Sequence, residues 1–325
     1  MKKNSRILVI GGSGFIGTHV VSQLAARGLR VIVPTRHRER ARHLIVLPTV
    51  DVIETRLGSA DALDSLISGC DAVINLVGVL HSQPGGPTDP FGIEFRRAHV
   101  DLPEAIVRAC QRAGVRRLVH VSALGVSDDP AIKGPSRYLR SKAAGEAHIR
   151  QSADLDWTIL RPSVVFGADD AFLNLFASMQ RRLPLVPLAC PEAKFQPIWV
   201  EDLTRAIVNL IDRPATFGKT YDLVGPEVFT LRQLVGMAGT WSGHPRPIIG
   251  LPSGIDRMVA GIMEMAPVPP MTIDNLDSMS VDNVSHQALS PELGITPASL
   301  QTIGPAMFGG GNERRYGQWR EQAHR

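Results

Sequence analysis

Short runs of Val, Ile and Leu alternate with helical patterns over the first two-thirds of the chain. Polar residues rarely interrupt these runs, which is typical of strands covered on both faces of a parallel sheet. Helical spacing occupies residues 15–27 and 99–113. The runs predict strands over residues 7–10, 30–34, 50–54, 72–76, 117–122 and 158–160. This alternation predicts an α/β fold built on a doubly wound parallel sheet.

The last third of the chain predicts a smaller, less regular lobe. Thr230 and Gln233 have the spacing of a capping box, and Phe229 with Leu234 has that of a hydrophobic staple, so a helix should begin at Thr230.

The boundaries of the two parts follow from these patterns. Residues 196–200 predict a strand, and residues 202–211 predict a helix. We assign residues 1–168 to the sheet domain, to which residues 196–225 return. Residues 169–195 and 226–325 then form the C-terminal lobe, which ends in a loose, Gly-rich and charged tail.

A glycine-rich turn follows the first predicted strand and opens a helix. Gly11 permits the tight turn, Gly14 lets backbone N–H groups approach a pyrophosphate, and Gly17 lets the helix pack closely on the strand. The strand–turn–helix context is the one that this motif requires, and it predicts a Rossmann dinucleotide-binding domain. A structural glycine turn without a ligand is the alternative. The remaining residues expected at the phosphates are Ser13, Phe15 and Ile16.

The residues after the second predicted strand favour NADP(H) over NAD(H). NAD-binding chains usually carry an acid there for the ribose hydroxyls, and this chain has none. Arg36 and Arg38 are placed to bind a 2′-phosphate instead. The alternative is a solvated helix face, which is our interpretation of Arg40 and Arg42.

Asn75, Val77 and Gly78 end the fourth predicted strand. Ligands of doubly wound sheets cross the carboxyl ends of the strands, so these residues are expected beside the cofactor. Gly78 leaves room for the ribose, although a glycine can also simply end a strand.

Tyr138 and Lys142 form a YxxxK pair in a chain that has only three Tyr. Residues four apart share one helical face, so the phenol and the ammonium can both face a cofactor. We expect Lys142 and an oxidised nicotinamide to lower the tyrosine pKa, so that Tyr138 exchanges a proton with substrate as hydride moves. Ser122, at the end of the fifth strand, is expected to orient the substrate oxygen. The alternative is a surface Tyr and Lys with a strand-end Ser.

Composition excludes several classes of function. A net charge of +4 over 325 residues gives no indication of nucleic-acid binding. The three cysteines have no metal-ligand or disulfide spacing, and we expect no metal and a reducing compartment. No signal peptide or apolar run of membrane-spanning length is evident. We therefore expect a cytoplasmic protein, with peripheral contact with the inner membrane left open.

The motifs together resemble the extended short-chain dehydrogenase/reductase superfamily. They include GGSGFIG at residues 11–17, VHVSAL at 119–124, YLRSK at 138–142 and RPSVVFG at 161–167. The chain looks most like the atypical branch that contains the NADPH-binding accessory subunit of respiratory complex I and its bacterial relatives. Residues 34–36, 138–143, 172–179 and 217–226 carry this finer resemblance, and the chain departs from it at Arg56, where relatives often carry an Asp.

The resemblance implies a firmly held NADPH with a structural role, and it places Pro162, Tyr138 and Lys142 among the cofactor-binding residues. It implies an accessory or assembly protein linked to respiratory complex I or to a quinone pathway, with little or no turnover. Other branches contain reductases, epimerases and dehydratases of nucleotide sugars and similar substrates. Because Ser122 is also retained, an NADP-dependent enzyme acting on a sugar or lipophilic substrate is the second hypothesis.

A methionine-rich stripe in the lobe is a candidate partner surface. Ile255, Met258, Val259, Ile262 and Met265 lie near one face of a predicted helix. Such a stripe suits a membrane protein, a quinone or a lipid substrate. Packing of the stripe against the lobe is the alternative. The arginines of the C-terminal tail are interpreted as solvated, with contact to an anionic surface as the alternative. They are Arg314, Arg315, Arg320 and Arg325.

Overall fold

The computed structural model describes residues 4–58, 60–86, 88–127, 134–264, 269 and 271–308. The strands in these ranges are β1 (Arg6–Ile10), β2 (Arg30–Thr35), β3 (Val50–Glu54), β4 (Ala72–Asn75), β5 (Arg117–Val121), β6 (Asp156–Pro162), β7 (Val165–Phe166), β8 (Val186–Leu188), β9 (Lys194–Phe195), β10 (Ile198–Trp199), β11 (Lys219–Leu223), β12 (Phe229–Thr230) and β13 (Ile248–Gly250).

Helices cover both faces of the sheet and build the lobe. They are α1 (Phe15–Ala26), α2 (Arg42–Ile45), α3 (Ala60–Ile67), α4 (Ile93–Phe95), α5 (Leu102–Ala113), α6 (Arg137–Arg150), α7 (Phe172–Arg182), α8 (Val200–Leu210), α9 (Leu231–Trp241), α10 (Ile255–Met263), α11 (Ile273–Ser278) and α12 (Leu300–Phe308). A π-helical segment, Arg96–Asp101, joins α4 to α5. None of the helices in the described ranges has the length and apolarity to cross a membrane.

Seven parallel strands form the central sheet in the order β11-β6-β5-β4-β1-β2-β3. The six strands predicted from the apolar runs are all present, with ends within two residues of the prediction. The predicted doubly wound α/β fold is therefore confirmed. Strands β1 to β3 are added toward one edge of the sheet, and β4 to β6 are added toward the other edge. Sheets of this kind bind ligands in the crevice at this switch point between β1 and β4.

The prediction for residues 196–200 is wrong in one respect. Only Ile198 and Trp199 are in a strand, and they pair with β7 outside the central sheet. The seventh strand of the sheet is β11, in which buried and partly exposed positions alternate because it lies at an edge. An edge strand lacks the continuous apolar run by which the other six were found.

Alternating side chains of the strands contribute to two apolar layers, one on each face of the sheet. Val9 and Val31 belong to the layer beneath α1 and α8, whereas Leu8 and Val73 belong to the layer beneath α3 and α5. Successive side chains of a strand point to opposite faces, so one run of apolar residues serves both layers.

The C-terminal lobe has its own apolar cluster, to which α7, α9 and α12 contribute. The predicted capping box at the start of α9 is confirmed. The Thr230 hydroxyl accepts the Gln233 N–H at 3.2 Å, and the Gln233 side chain accepts the Thr230 N–H at 2.8 Å. The tail from residue 309 onward lies outside the described residues, so the prediction for it stays untested.

Candidate dinucleotide-binding site

The glycine turn lies between β1 and α1, against the end of β4. Gly11 has a φ of +86°, and a Cβ there would come within 3.1 Å of the Leu76 carbonyl carbon. A Cβ at Gly17 would overlap the Gly11 carbonyl oxygen and lie 2.6 Å from the Gly12 Cα atom. Both positions therefore require glycine, and the requirement comes from close backbone approach.

The amino end of α1 is open to an anion. Gly14 precedes the helix in an extended conformation, and α1 has neither a side-chain cap nor an acidic residue in its first turn. The first N–H groups of a helix have no partner within the helix, and the helix dipole favours negative charge at this end. Phe15 and Ile16 supply N–H groups of this turn, and Ser13 lies next to it with its hydroxyl 3.5 Å from the Thr35 hydroxyl. The turn therefore fits a pyrophosphate.

Exposed arginines lie beyond the carboxyl end of β2. The side chains of Arg36 and Arg38 are both exposed, as is that of Arg56 after β3. One acid is also present: Glu54 is paired in register with Thr35, and its carboxylate accepts the Arg38 backbone N–H at 3.2 Å. The guanidinium groups nevertheless outnumber the carboxylate at this end of the crevice. This arrangement is suited to a phosphate.

The end of β4 is fixed by a buried amide. Asn75 accepts the Val77 N–H at 3.1 Å and donates to His120 Nδ1 at 3.1 Å. A Cβ at Gly78 would lie 3.4 Å from Lys142 Nζ. The structure thus brings the strand-end residues into the neighbourhood of the predicted lysine.

Tyr138 and Lys142 both lie in the first half of α6, whose first turn is capped by Ser136. The Lys142 ammonium is buried and donates to the carbonyl oxygens of Val121 at 3.3 Å and Val77 at 3.5 Å. Burial lowers the pKa of Lys142 to about 8.

The expected lowering of the tyrosine pKa is not observed in the chain alone. Burial raises the pKa of Tyr138 to about 12, because the phenolate would lose its hydration there. Since Lys142 is directed at two carbonyl groups, its charge does not offset this loss. In this arrangement the phenol is a proton donor and not a base at neutral pH.

Ser122 follows β5 directly, and Pro162 ends β6, the neighbouring strand. In the described part of the chain, Ser122 Oγ is buried and has no hydrogen-bond partner. A hydroxyl in that state has its hydrogen-bonding capacity free for a substrate or cofactor oxygen. The Pro162 carbonyl accepts the Leu124 N–H at 2.9 Å and so ties the loop after β5 to β6.

Two buried histidines of this region were missed by the sequence interpretation. His99 Nε2 accepts the Val79 N–H at 3.0 Å, so Nδ1 carries the proton and donates to Ser141 Oγ at 2.8 Å. Its ring also meets the Tyr138 ring edge-on, with 5.4 Å between centroids. Burial, with a smaller contribution from Lys142, lowers the pKa of His99 to about 2. His99 is therefore a neutral support for the helix that carries Tyr138.

The second histidine, His120, has a similar role at the end of β4. Its Nδ1 accepts from Asn75, and its Nε2 is buried without a partner among the described residues. Burial lowers the pKa of His120 to about 3. No feature of the sequence pointed to His99, because residues 99–113 predicted an ordinary helix and the π-helical form of Arg96–Asp101 is seen only in the structure. Such segments occur often at functional sites.

A buried ion-pair cluster joins the second half of α6 to β6. Arg161 donates to both carboxylate oxygens of Glu146, at 3.0 and 2.7 Å, and Arg150 donates to one of them at 2.6 Å. Glu146 is fully buried and Arg161 is 5% exposed. This cluster fixes α6 to β6.

Within the described ranges, no group of three or more His, Cys, Asp or Glu side chains could hold a metal ion.

Known proteins resemble this chain in sequence and in fold. A protein-family model described as NAD(P)H-binding matches residues 11–171. Mitochondrial NADH dehydrogenase (ubiquinone) 1 alpha subcomplex subunit 9 of Mus musculus is 32% identical over 307 residues, which cover 90% of this chain and 77% of the mouse protein. Ceramide reductase of Caulobacter vibrioides is 29% identical over 249 residues, 76% of this chain and 73% of that protein.

Among solved structures, MoeE5 in complex with UDP-glucuronic acid and NAD is similar, with a TM-score of 0.70. The similarity covers 93% of this chain and 97% of that one at 19% identity, which establishes the fold alone. Together, the fold and the site define a nicotinamide-dinucleotide-binding protein with a Rossmann-like α/β sheet. Within that class, the chain belongs to the family of the alpha subcomplex subunit 9 of mitochondrial NADH dehydrogenase.

Proposed function

We propose that this protein holds NADPH as a structural cofactor and serves as an accessory or assembly protein of respiratory complex I, with little or no turnover. The supporting observation is the 32% identity to a complex I subunit, which extends over 90% of the chain and so includes the lobe. The raised pKa of Tyr138 and the direction of the Lys142 ammonium agree with weak proton transfer at this site. We place the protein in the cytoplasm, peripheral to the inner membrane.

The exposed face of α10 supports a partner role. Ile255, Met258 and Ile262 are 44%, 60% and 63% exposed, whereas Ala260 is buried. These three side chains are therefore not packed fully against the lobe. Met265, the last residue of the predicted stripe, lies outside the described residues. The face favours a partner with an apolar surface, and a quinone-pathway protein fits the same description.

A second candidate function is the NADPH-dependent reduction of a lipophilic carbonyl. The observations that favour it are the buried Ser122 hydroxyl, which has no hydrogen-bond partner among the described residues, and the 29% identity to a ceramide reductase. In that reaction Ser122 would hold the carbonyl oxygen, and Tyr138 would donate a proton to it as the cofactor supplies hydride.

Turnover by the purified protein separates the two functions. The nucleotide released on denaturation is identified, and NADPH consumption is followed with quinone, ceramide-like carbonyl and nucleotide-sugar substrates. NADPH released in near-stoichiometric amount without consumption is the expected result. Consumption that is lost in Tyr138→Phe would instead establish the enzyme and its substrate class. A protein with no bound nucleotide and no affinity for one would overturn both.

Arg36→Asp tests the preference for NADPH. The substitution replaces a guanidinium suited to the 2′-phosphate with a carboxylate that repels it, so the Kd for NADPH should rise by a factor of about 10–100. The Kd for NADH should change by less than about threefold, because a carboxylate at this point accepts from the ribose hydroxyls. Both constants are measured by fluorescence titration. Arg42→Asp is the control, since Arg42 is an exposed residue of α2, and equal losses for both cofactors would contradict the assignment of Arg36.

A further inference from the structure

The helix that carries Tyr138 and Lys142 is capped by a carboxylate from the C-terminal lobe. Asp274 of α11 accepts the backbone N–H of Arg137 at 2.7 Å and that of Tyr138 at 3.1 Å. Its side chain is buried, 4% exposed. These N–H groups belong to the first turn of α6, where a helix has no internal partners for them and where its dipole favours a negative charge.

A second contact joins the same two helices. Ser136, which is fully buried, caps α6 by accepting the Leu139 N–H at 3.1 Å. The Ser278 hydroxyl at the other end of α11 lies 2.8 Å from the Ser136 hydroxyl and donates to it. Contacts from both ends of α11 thus hold the start of α6.

The helix α11 is itself firmly held. Thr272 and Asn275 form a capping box at its start, with bonds of 3.1 and 3.0 Å. Glu264 beyond α10 accepts the Ile273 N–H at 2.7 Å. Because its start, which carries Asp274, is fixed in this way, α11 can impose a position on α6.

We propose that Asp274 is a positioning residue that sets the first turn of α6, and with it the Tyr138 phenol and the Lys142 ammonium, toward the nicotinamide end of the bound dinucleotide. The inference rests on the proposed binding of NADPH, with Lys142 among the residues that face the cofactor. The adenine end of the cofactor lies at the glycine turn and Arg36, on elements that α11 does not cap. Loss of Asp274 should therefore weaken the binding of the nicotinamide half of the cofactor and leave that of the adenine half unchanged.

The test compares two ligands in three forms of the full chain. NADPH has both halves, whereas 2′,5′-ADP has only the adenine half and its phosphates. In Asp274→Ala the Kd for NADPH should rise about fivefold or more, the loss expected when a helix cap is removed. The Kd for 2′,5′-ADP should stay within about twofold. Asp274→Asn keeps one acceptor oxygen and should recover part of the NADPH affinity.

Asp277→Asn is the matched control, because it breaks the Arg257 ion pair on the same helix without touching α6. Hydrogen exchange without nucleotide provides a readout that does not depend on cofactor binding. The first-turn amides of α6 should exchange faster in Asp274→Ala and unchanged in Asp277→Asn.

Several results would overturn the proposal. Equal losses for NADPH and 2′,5′-ADP in Asp274→Asn would show general destabilisation, as would faster exchange throughout the chain. Unchanged NADPH affinity with lost α6 protection would show a cap without a positioning role. If the wild type binds neither ligand, the proposed function fails, and the exchange data still decide whether Asp274 holds α6.

Discussion

Gly17→Ala should abolish measurable dinucleotide binding and lower the free energy of unfolding by about 3 kcal/mol, at the upper end for overpacked sites. The added Cβ would overlap the Gly11 carbonyl oxygen and lie 2.6 Å from the Gly12 Cα atom. These are backbone atoms of the turn itself, so relief requires the turn or α1 to move. Movement displaces the N–H groups that face the pyrophosphate. Titration with NADPH and urea denaturation measure the two effects.

Gly236→Ala in α9 is the matched control for this substitution. The atom nearest to a Cβ there is Ile248 Cδ1 at 3.9 Å, an ordinary van der Waals distance. Alanine should therefore stabilise α9 by about 0.5–1 kcal/mol through its lower backbone entropy in the unfolded chain. Retained NADPH affinity in Gly17→Ala would show that the turn does not hold the phosphates.

Glu146→Gln should destabilise the protein by about 3–5 kcal/mol, the cost of removing one partner from a buried ion pair. The substitution keeps the size of the side chain and removes its charge. Arg161 would then keep a positive charge at 5% exposure without the Glu146 carboxylate. Urea denaturation followed by circular dichroism measures the change in the free energy of unfolding.

Glu104→Gln provides the comparison, because Glu104 also pairs with an arginine four residues later in a helix. Its Arg108 partner is 65% exposed and Glu104 is 34% exposed. An exposed pair of this kind contributes about 0.3–0.5 kcal/mol. Similar losses in the two variants would contradict the burial argument, since Glu146 is buried with two arginines whereas the Glu104 pair is exposed.

The features that the sequence predicted are those encoded by neighbouring residues. The apolar runs, the glycine spacing and the Tyr138–Lys142 spacing each lie within one element and its turn, so the doubly wound sheet and the candidate cofactor site could be predicted from them. The capping box at Thr230 is of the same kind.

The features that the sequence did not predict depend on distant residues. Asp274 meets Arg137 across 137 positions, and His99 meets Ser141 across 42. The Tyr138 pKa moved opposite to the prediction because burial, which the fold decides, outweighs the lysine four residues away. The strand β11 was missed because an edge strand carries polar side chains. The roles of the individual site residues stay predictions until binding is measured.

The position of β11 in the chain has a consequence for how this protein is made. The strand β6 is buried by β11, with Thr158, Ile159 and Leu160 inaccessible to solvent. On the ribosome, β11 emerges only after α7 and α8, so β6 is an open edge while about sixty further residues are synthesised. An open apolar edge is a template for pairing with another nascent chain. Expression fragments meant to isolate the nucleotide-binding half should therefore extend through residue 223 and not stop at 168.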